Sequence, residues 1–126
     1  MSKLNDLRDV IHLTARRKGF WDNDRNLGEM LMLVVTELSE AMETHRKDGS
    51  IIPISNEIKE AMAEMSDEEF KEHFVLVAKD TFADEMADAL IRIMDICGGL
   101  HIDIDWHVKN KIRYNTTRER LHGKRY

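Results

Sequence analysis

From Leu27 to Met42 the apolar residues Leu27, Met30, Leu31, Val34, Val35, Leu38, Ala41 and Met42 recur at intervals that gather them on one helical face. Only an α-helix turns that spacing into a continuous stripe. Asn26 precedes the stripe and Asp48-Gly49 follows it, so the pattern predicts a helix from about Asn26 to Lys47. A second stripe of Phe82, Met86, Ala89, Leu90, Ile93, Met94 and Cys97 predicts a helix from about Lys79 to Cys97, stopped at Gly98-Gly99. Ser2 is placed to cap a first helix carrying Leu4, Leu7, Val10 and Ile11, which ends near Gly19 after Arg16, Arg17 and Lys18. Asn56 to Met65 suits a short helix, and Ser66 with Glu69 forms a capping box that starts another. Asp103 or Asp105 can cap a last helix running to about Arg118.

Breakers are scarce: one proline, Pro53, and six glycines in 126 residues, with no alternating strand pattern. The expectation is a single all-α domain over residues 1–126, a helical bundle completed by oligomerisation. Cys97 is the only cysteine, which excludes an intrachain disulfide and fits a reducing compartment. It sits in an apolar arc as a buried thiol. No apolar run nears the roughly 20 residues that span a bilayer and no leader pattern opens the chain, so a cytoplasmic protein is expected. The net charge of −5 conceals a polarity, because residues 109–126 carry seven Lys/Arg against one acid, Glu119. An acidic body with a basic tail can hold a cation-bridged polyanion, whereas the body would repel nucleic acid.

The acidic residues most in need of explanation lie on the two long helices. Glu37 falls inside the apolar arc, between Leu33 and Ala41 on a helical wheel, and Glu40 lies about 60° further round. Glu85 flanks the second arc and Asp88 lies about 60° outward, the same i, i+3 spacing. A carboxylate at a helix interface is costly unless a cation or hydrogen bonds compensate it, and adjacent carboxylates raise one another's pKa. Two antiparallel helices would bring these four oxygen ligands into one space. A donor set of carboxylates without Cys or His suits Mg²⁺, with Mn²⁺ as a substitute. A di-iron centre is disfavoured because neither pair has the Glu-x-x-His form. The competing interpretation is two solvated faces, with Asp88 paired to Arg92 one turn later.

On the last helix Lys111, Asn115 and Arg118 fall within about 60° of one another, offering a point charge, an amide and a bidentate fork to phosphate oxygens. A solvated basic face at a helix end has the same pattern. Trp21, in the polar loop from Gly19 to Asn26, offers either a stacking surface for a base or a packing anchor. His12, His45, His73, His101 and His107 lack ligand spacing and are expected to be structural or surface residues.

With TELSEAMETHR, ADEMADALIRIMD and KIRYNTTRERLHGK in that order, the chain resembles the MazG-like all-α nucleoside-triphosphate pyrophosphohydrolases over about Asn26 to Lys124. The resemblance maps a Glu-x-x-Glu pair onto Glu37/Glu40, a Glu-x-x-Asp pair onto Glu85/Asp88, and a Lys-x-x-x-Asn-x-x-Arg ending onto Lys111, Asn115 and Arg118. It implies Mg²⁺-assisted attack of water on a nucleoside triphosphate, releasing the monophosphate and pyrophosphate, in a homodimer or homotetramer. Glu40 would be the proton acceptor. The stretch Gly49 to Ala78 makes the link between the two pairs longer than in compact members of that family. The alternative from another class is a non-catalytic helical interaction module whose acidic pairs are surface positions.

Overall fold

A computed structural model describes residues 3–126, so the cap expected at Ser2 lies outside the described residues. Six α-helices and a short 3-10 turn at Arg120–Gly123 follow one another, with no strand among the described residues. The chain divides into two compact units. One is Asn26–Arg92; the other joins the residues up to Arg25 with Ile93–Tyr126.

The unit Asn26–Arg92 is built on α2 (Leu27–Lys47), α3 (Asn56–Ala63), α4 (Asp67–Val77) and the first part of α5 (Phe82–Gly99). Asn26 caps α2 by accepting from the Glu29 N–H at 3.0 Å, and His45, Arg46 and Lys47 complement the dipole at its far end. Asp48 then turns its carboxylate onto the Ser50 N–H at 3.0 Å, which takes the chain out of the helix. Ser55 caps α3 and Ser66 caps α4, the latter accepting from the Glu69 N–H as the capping box requires. Helix α5 starts three residues later than the sequence pattern suggests. Asp80 takes a left-handed φ of 62°, which the helix cannot continue through, and the Thr81 hydroxyl caps by accepting from the Asp84 N–H. Along α2 the contacts with α5 run backwards in number, Glu37 to Arg92 and His45 to Phe82, so these two helices are antiparallel.

The apolar stripe of α2 is split by one helical step. Met30, Val34, Glu37 and Ala41 are buried, whereas Leu31, Val35, Leu38 and Met42, each one residue further on, are exposed. On α5 Ala89, Met94 and Cys97 are buried, while Met86, Leu90 and Ile93 are exposed. The broad stripes are therefore wider than the core of a single chain. Methionines divide the same way: Met30 and Met94 are core, and Met32, Met42 and Met86 are not.

In the other unit α1 (Lys3–Arg17) and α6 (Ile104–Thr116) cap one another. The Asp105 carboxylate accepts from the backbone N–H groups of Leu4 and Asn5 at 3.3 and 2.9 Å, and the Asn5 amide oxygen accepts from those of Ile104 and Asp105. Each helix thus satisfies first-turn donors of the other. Asp103 is the local cap of α6, accepting from Trp106 N–H at 3.1 Å. Its hydrogen bonds from Asn5 and then from Trp106 hold that carboxyl below its usual range. Helix α5 stops at Gly98-Gly99 as expected, with Gly99 its last residue. Both glycines are closely approached: a β-carbon on Gly98 would stand 2.6 Å from His12 Cβ. These glycines let α1 and Trp21 approach the helix backbone.

Candidate metal centre

The antiparallel course of α2 and α5 brings together carboxylates that are 45 to 48 residues apart in sequence. Glu37, Glu40 and Glu85 each offer an oxygen within 4.8 Å of the others. Glu37 and Glu85 are only 7% and 5% exposed, whereas Glu40 opens to solvent. Burial pushes the Glu85 carboxyl up to about 7, helped by a hydrogen bond shared with Glu40 and by the charges of Glu40, Asp88 and Glu37. A buried acid surrounded by acids favours its neutral form until a cation arrives.

Asp88 is the fourth expected ligand and lies outside this triad. It is half-buried, not the outermost of the four; that place belongs to Glu40. Its pKa is also raised, by burial first and then by Asp84 and Glu37, against the opposing charge of Arg92. Arg92 does not form the pair with Asp88 that the competing solvated-face interpretation calls for. Its Nε donates to Glu37 Oε1 at 2.5 Å, so one ligand candidate already has a cationic partner. An arginine four residues after Asp88 was visible in the sequence, but its rotamer choice between two acids was not.

The chemistry of the donor set fits a hard divalent cation. All ligand atoms are carboxylate oxygens, two of the groups are buried, and the exposed Glu40 leaves room for water and an anionic substrate. Among the described residues no other group of three potential ligands converges in this way.

The second unit holds the remaining candidates. Lys111 Nζ and Arg118 Cζ both stand over the Tyr114 ring, at 5.0 and 5.5 Å from its centre, so the two cations share one aromatic residue. The amide oxygen of Asn115, between them in sequence, is buried and has no hydrogen-bond partner among the described residues. Trp21 is half-buried, and its indole N–H donates to both oxygens of Asp95 at 2.9 and 3.1 Å. Arg25 lies over the indole, 5.1 Å from its centre, and His12 meets it edge-on at 4.9 Å. A base stacking on Trp21 would have to share the ring with Arg25.

Asp95 is a centre the sequence patterns did not single out. Besides Trp21 it accepts from His12 Nδ1 at 2.8 Å and faces Arg25 Nη1 at 3.5 Å. The signal available was a lone acid inside the apolar run Ile93–Cys97. Cys97 itself is buried, and burial raises its thiol pKa. Comparison with protein-family models, curated proteins and solved structures finds no match for this chain. No helix among the described residues is long and apolar enough to cross a membrane.

Proposed function

We propose that the chain is a Mg²⁺-dependent nucleoside-triphosphate pyrophosphohydrolase of the MazG-like kind, converting (d)NTP to (d)NMP and pyrophosphate in nucleotide-pool house-cleaning. The observation that carries this reading is the convergence of Glu37, Glu40 and Glu85, with the Glu85 carboxyl raised to about 7. A carboxylate cluster in which, among the described residues, only Glu37 has a cationic partner leaves Glu40 and Glu85 to attract a divalent cation.

Glu37, Glu40 and Glu85 would hold Mg²⁺, or Mn²⁺ in its place, with Asp88 beside them. The ion, when bound, supplies polarisation of the phosphoryl oxygens and offsets their charge. Glu40, the exposed member, is the residue best placed to accept the proton of an attacking water. Glu37, fixed by Arg92, is the rigid ligand of the set. Glu85 must release its proton before it can bind the cation, so occupancy rises with pH. The resemblance assigns the departing pyrophosphate to the cations of Lys111 and Arg118 and to the side-chain NH2 of Asn115, which donates to phosphate oxygens. Trp21, with Arg25 over its ring and Asp95 on its indole N–H, is left the part of a packing anchor.

The same reading carries a homodimer or homotetramer. Leu31, Val35, Leu38 and Met42 form an exposed seam with alternating four- and three-residue spacing, the pattern of a helix that packs on another helix. That seam also favours a second reading, a non-catalytic interaction module in which the Arg92–Glu37 pair is structural. Measuring Mg²⁺-dependent pyrophosphate release across a panel of nucleotides separates the two. The wild-type chain is expected to release pyrophosphate and Glu37→Ala to lose at least a hundredfold in kcat/KM, in line with the several kcal/mol that a bound metal contributes. Orthophosphate as the primary product, or full activity in Glu37→Ala, would sink the proposal.

A further inference from the structure

A cavity of about 580 Å³ opens between the connector that follows α2 and the start of α5. Its size is that of a small-molecule site. Helix register ties it to the carboxylates. Thr44 lines the cavity and follows Glu40 by four residues; Thr81 lines it and precedes Glu85 by four. Each threonine is one turn, roughly 5–6 Å, from its carboxylate. The cavity is therefore the next space along the α2–α5 pair from the candidate metal centre.

Its walls specify an occupant. Ile51, Ile54, Ile58 and Phe82 supply apolar surface, and the ionisable residues among the lining are Asp48 and Asp80. No Lys, Arg or His is among them; Lys79, which pairs with Asp80 at 2.9 Å, lies outside the lining. A phosphate in this space would face two acids, with Lys79 beside them already engaged by Asp80. A nucleoside meets none of that penalty. Its base has apolar faces for isoleucine and phenylalanine, and an exocyclic amino group donates to a carboxylate. The Asp48 carboxylate is held in position by the Ser50 N–H. A uracil-type base replaces that amino group with a carbonyl oxygen, which cannot donate to a carboxylate, and keeps only its ring N3–H as a donor. The wall, moreover, belongs largely to the long link between the carboxylate pairs.

We infer that this cavity seats the nucleoside of the substrate and that Asp48 and Asp80 favour a base bearing an exocyclic amino group, an inference that rests on the pyrophosphohydrolase reading. The phosphates would then extend from the cavity toward Glu40 and Glu85, and the connector would set specificity.

Titrating deoxycytidine and deoxyuridine into the full chain, without metal, while following the isoleucine methyl resonances tests this directly. Deoxycytidine is expected to shift the Ile51, Ile54 and Ile58 methyl signals with a dissociation constant about tenfold below that of deoxyuridine, the difference a charge-assisted hydrogen bond makes. Ala83→Trp, which fills the cavity from the first turn of α5, is expected to abolish those shifts and to raise KM for nucleoside triphosphates. The double variant Asp48→Asn, Asp80→Asn is expected to remove the tenfold preference; asparagine tolerates the left-handed backbone at position 80. Absence of methyl shifts with either nucleoside, in a chain that does release pyrophosphate, overturns the cavity assignment and leaves the enzymatic reading standing. Equal affinities for the two nucleosides overturn the base preference. Shifts with deoxycytidine in a chain that releases no pyrophosphate keep the cavity and remove the enzymatic reading.

Discussion

Helix α5 carries two buried acids ten residues apart, and their surroundings are opposite. Asp95, 8% exposed, accepts from the Trp21 indole and His12 and faces the Arg25 guanidinium. Glu85, 5% exposed, faces Glu40, Asp88 and Glu37. The first is satisfied by the chain itself, so its function is to fix the Trp21 loop and α1 against α5. The second is left in conflict, with its proton retained to about pH 7 as the only relief the chain provides. Burial alone therefore says little about role. What distinguishes a structural acid from a ligand candidate is whether donors or further acids surround it.

The contrast breaks most sharply under paired isosteric substitution. Glu85→Gln is expected to lower kcat/KM for pyrophosphate release by two to three orders of magnitude, on the order of the several kcal/mol a metal-held phosphoryl oxygen supplies, while the melting temperature of the metal-free protein rises. Asp95→Asn should do the reverse, costing about 2–3 kcal/mol in denaturant unfolding because Arg25 and His12 lose their shared acceptor charge. Calorimetric Mg²⁺ affinity in that variant should stay within about twofold of the wild type, as expected of distant, independent sites. Loss of Mg²⁺ binding in Asp95→Asn would erase the distinction.

A pH series sharpens the same comparison without mutation. Native Glu85 keeps its proton to about 7, whereas an unfolded chain releases it near its ordinary 4.5. Between those values the native state binds the extra proton. The stability of the metal-free protein should therefore be fullest below pH 4.5 with respect to this group, and fall by about 3 kcal/mol as pH rises to 7. Mg²⁺ competes with that proton. Its stabilising effect in thermal melts should be larger at pH 8 than at pH 5.5. A metal effect independent of pH would contradict the assignment of Glu85 as a ligand.

The smallest effect belongs to the glycines beside Asp95. In Gly99→Ala the new β-carbon would overlap the Trp21 ring, and the forced shift should cost about 1–3 kcal/mol in denaturant unfolding, with pyrophosphate release per folded molecule unchanged. A neutral result would mean that the Trp21 loop is not packed against α5.

Local chemistry was legible along most of the chain. Asn26, Ser55, Ser66 and Asp103 start helices by the hydrogen bond each residue type is suited to make, and Asp48 ends one. The acid inside the α2 stripe, Glu37, was conspicuous because a charge on an apolar arc demands a partner. Three of the four expected ligands converge for the same reason that the stripes exist, since the helical period aligns both. Where the reading went astray, the deciding contact was non-local. The start of α5 depends on a left-handed Asp80, and the partner of Arg92 depends on Glu37 arriving from α2.

By itself, then, the sequence determined an all-helical chain, the helices and most of their caps, and the two acid-bearing faces, because these follow from periodicity and from bonds between residues a few positions apart. Only the tertiary structure decided which half of each stripe is buried and that Arg92 chooses Glu37 over Asp88. It also decided that Glu40 and not Asp88 is the open carboxylate, and that Asp105 caps a helix a hundred residues away. Each of those outcomes turns on which side chain arrives from a distant segment, and a single helical step of 100° suffices to exchange one neighbour for another.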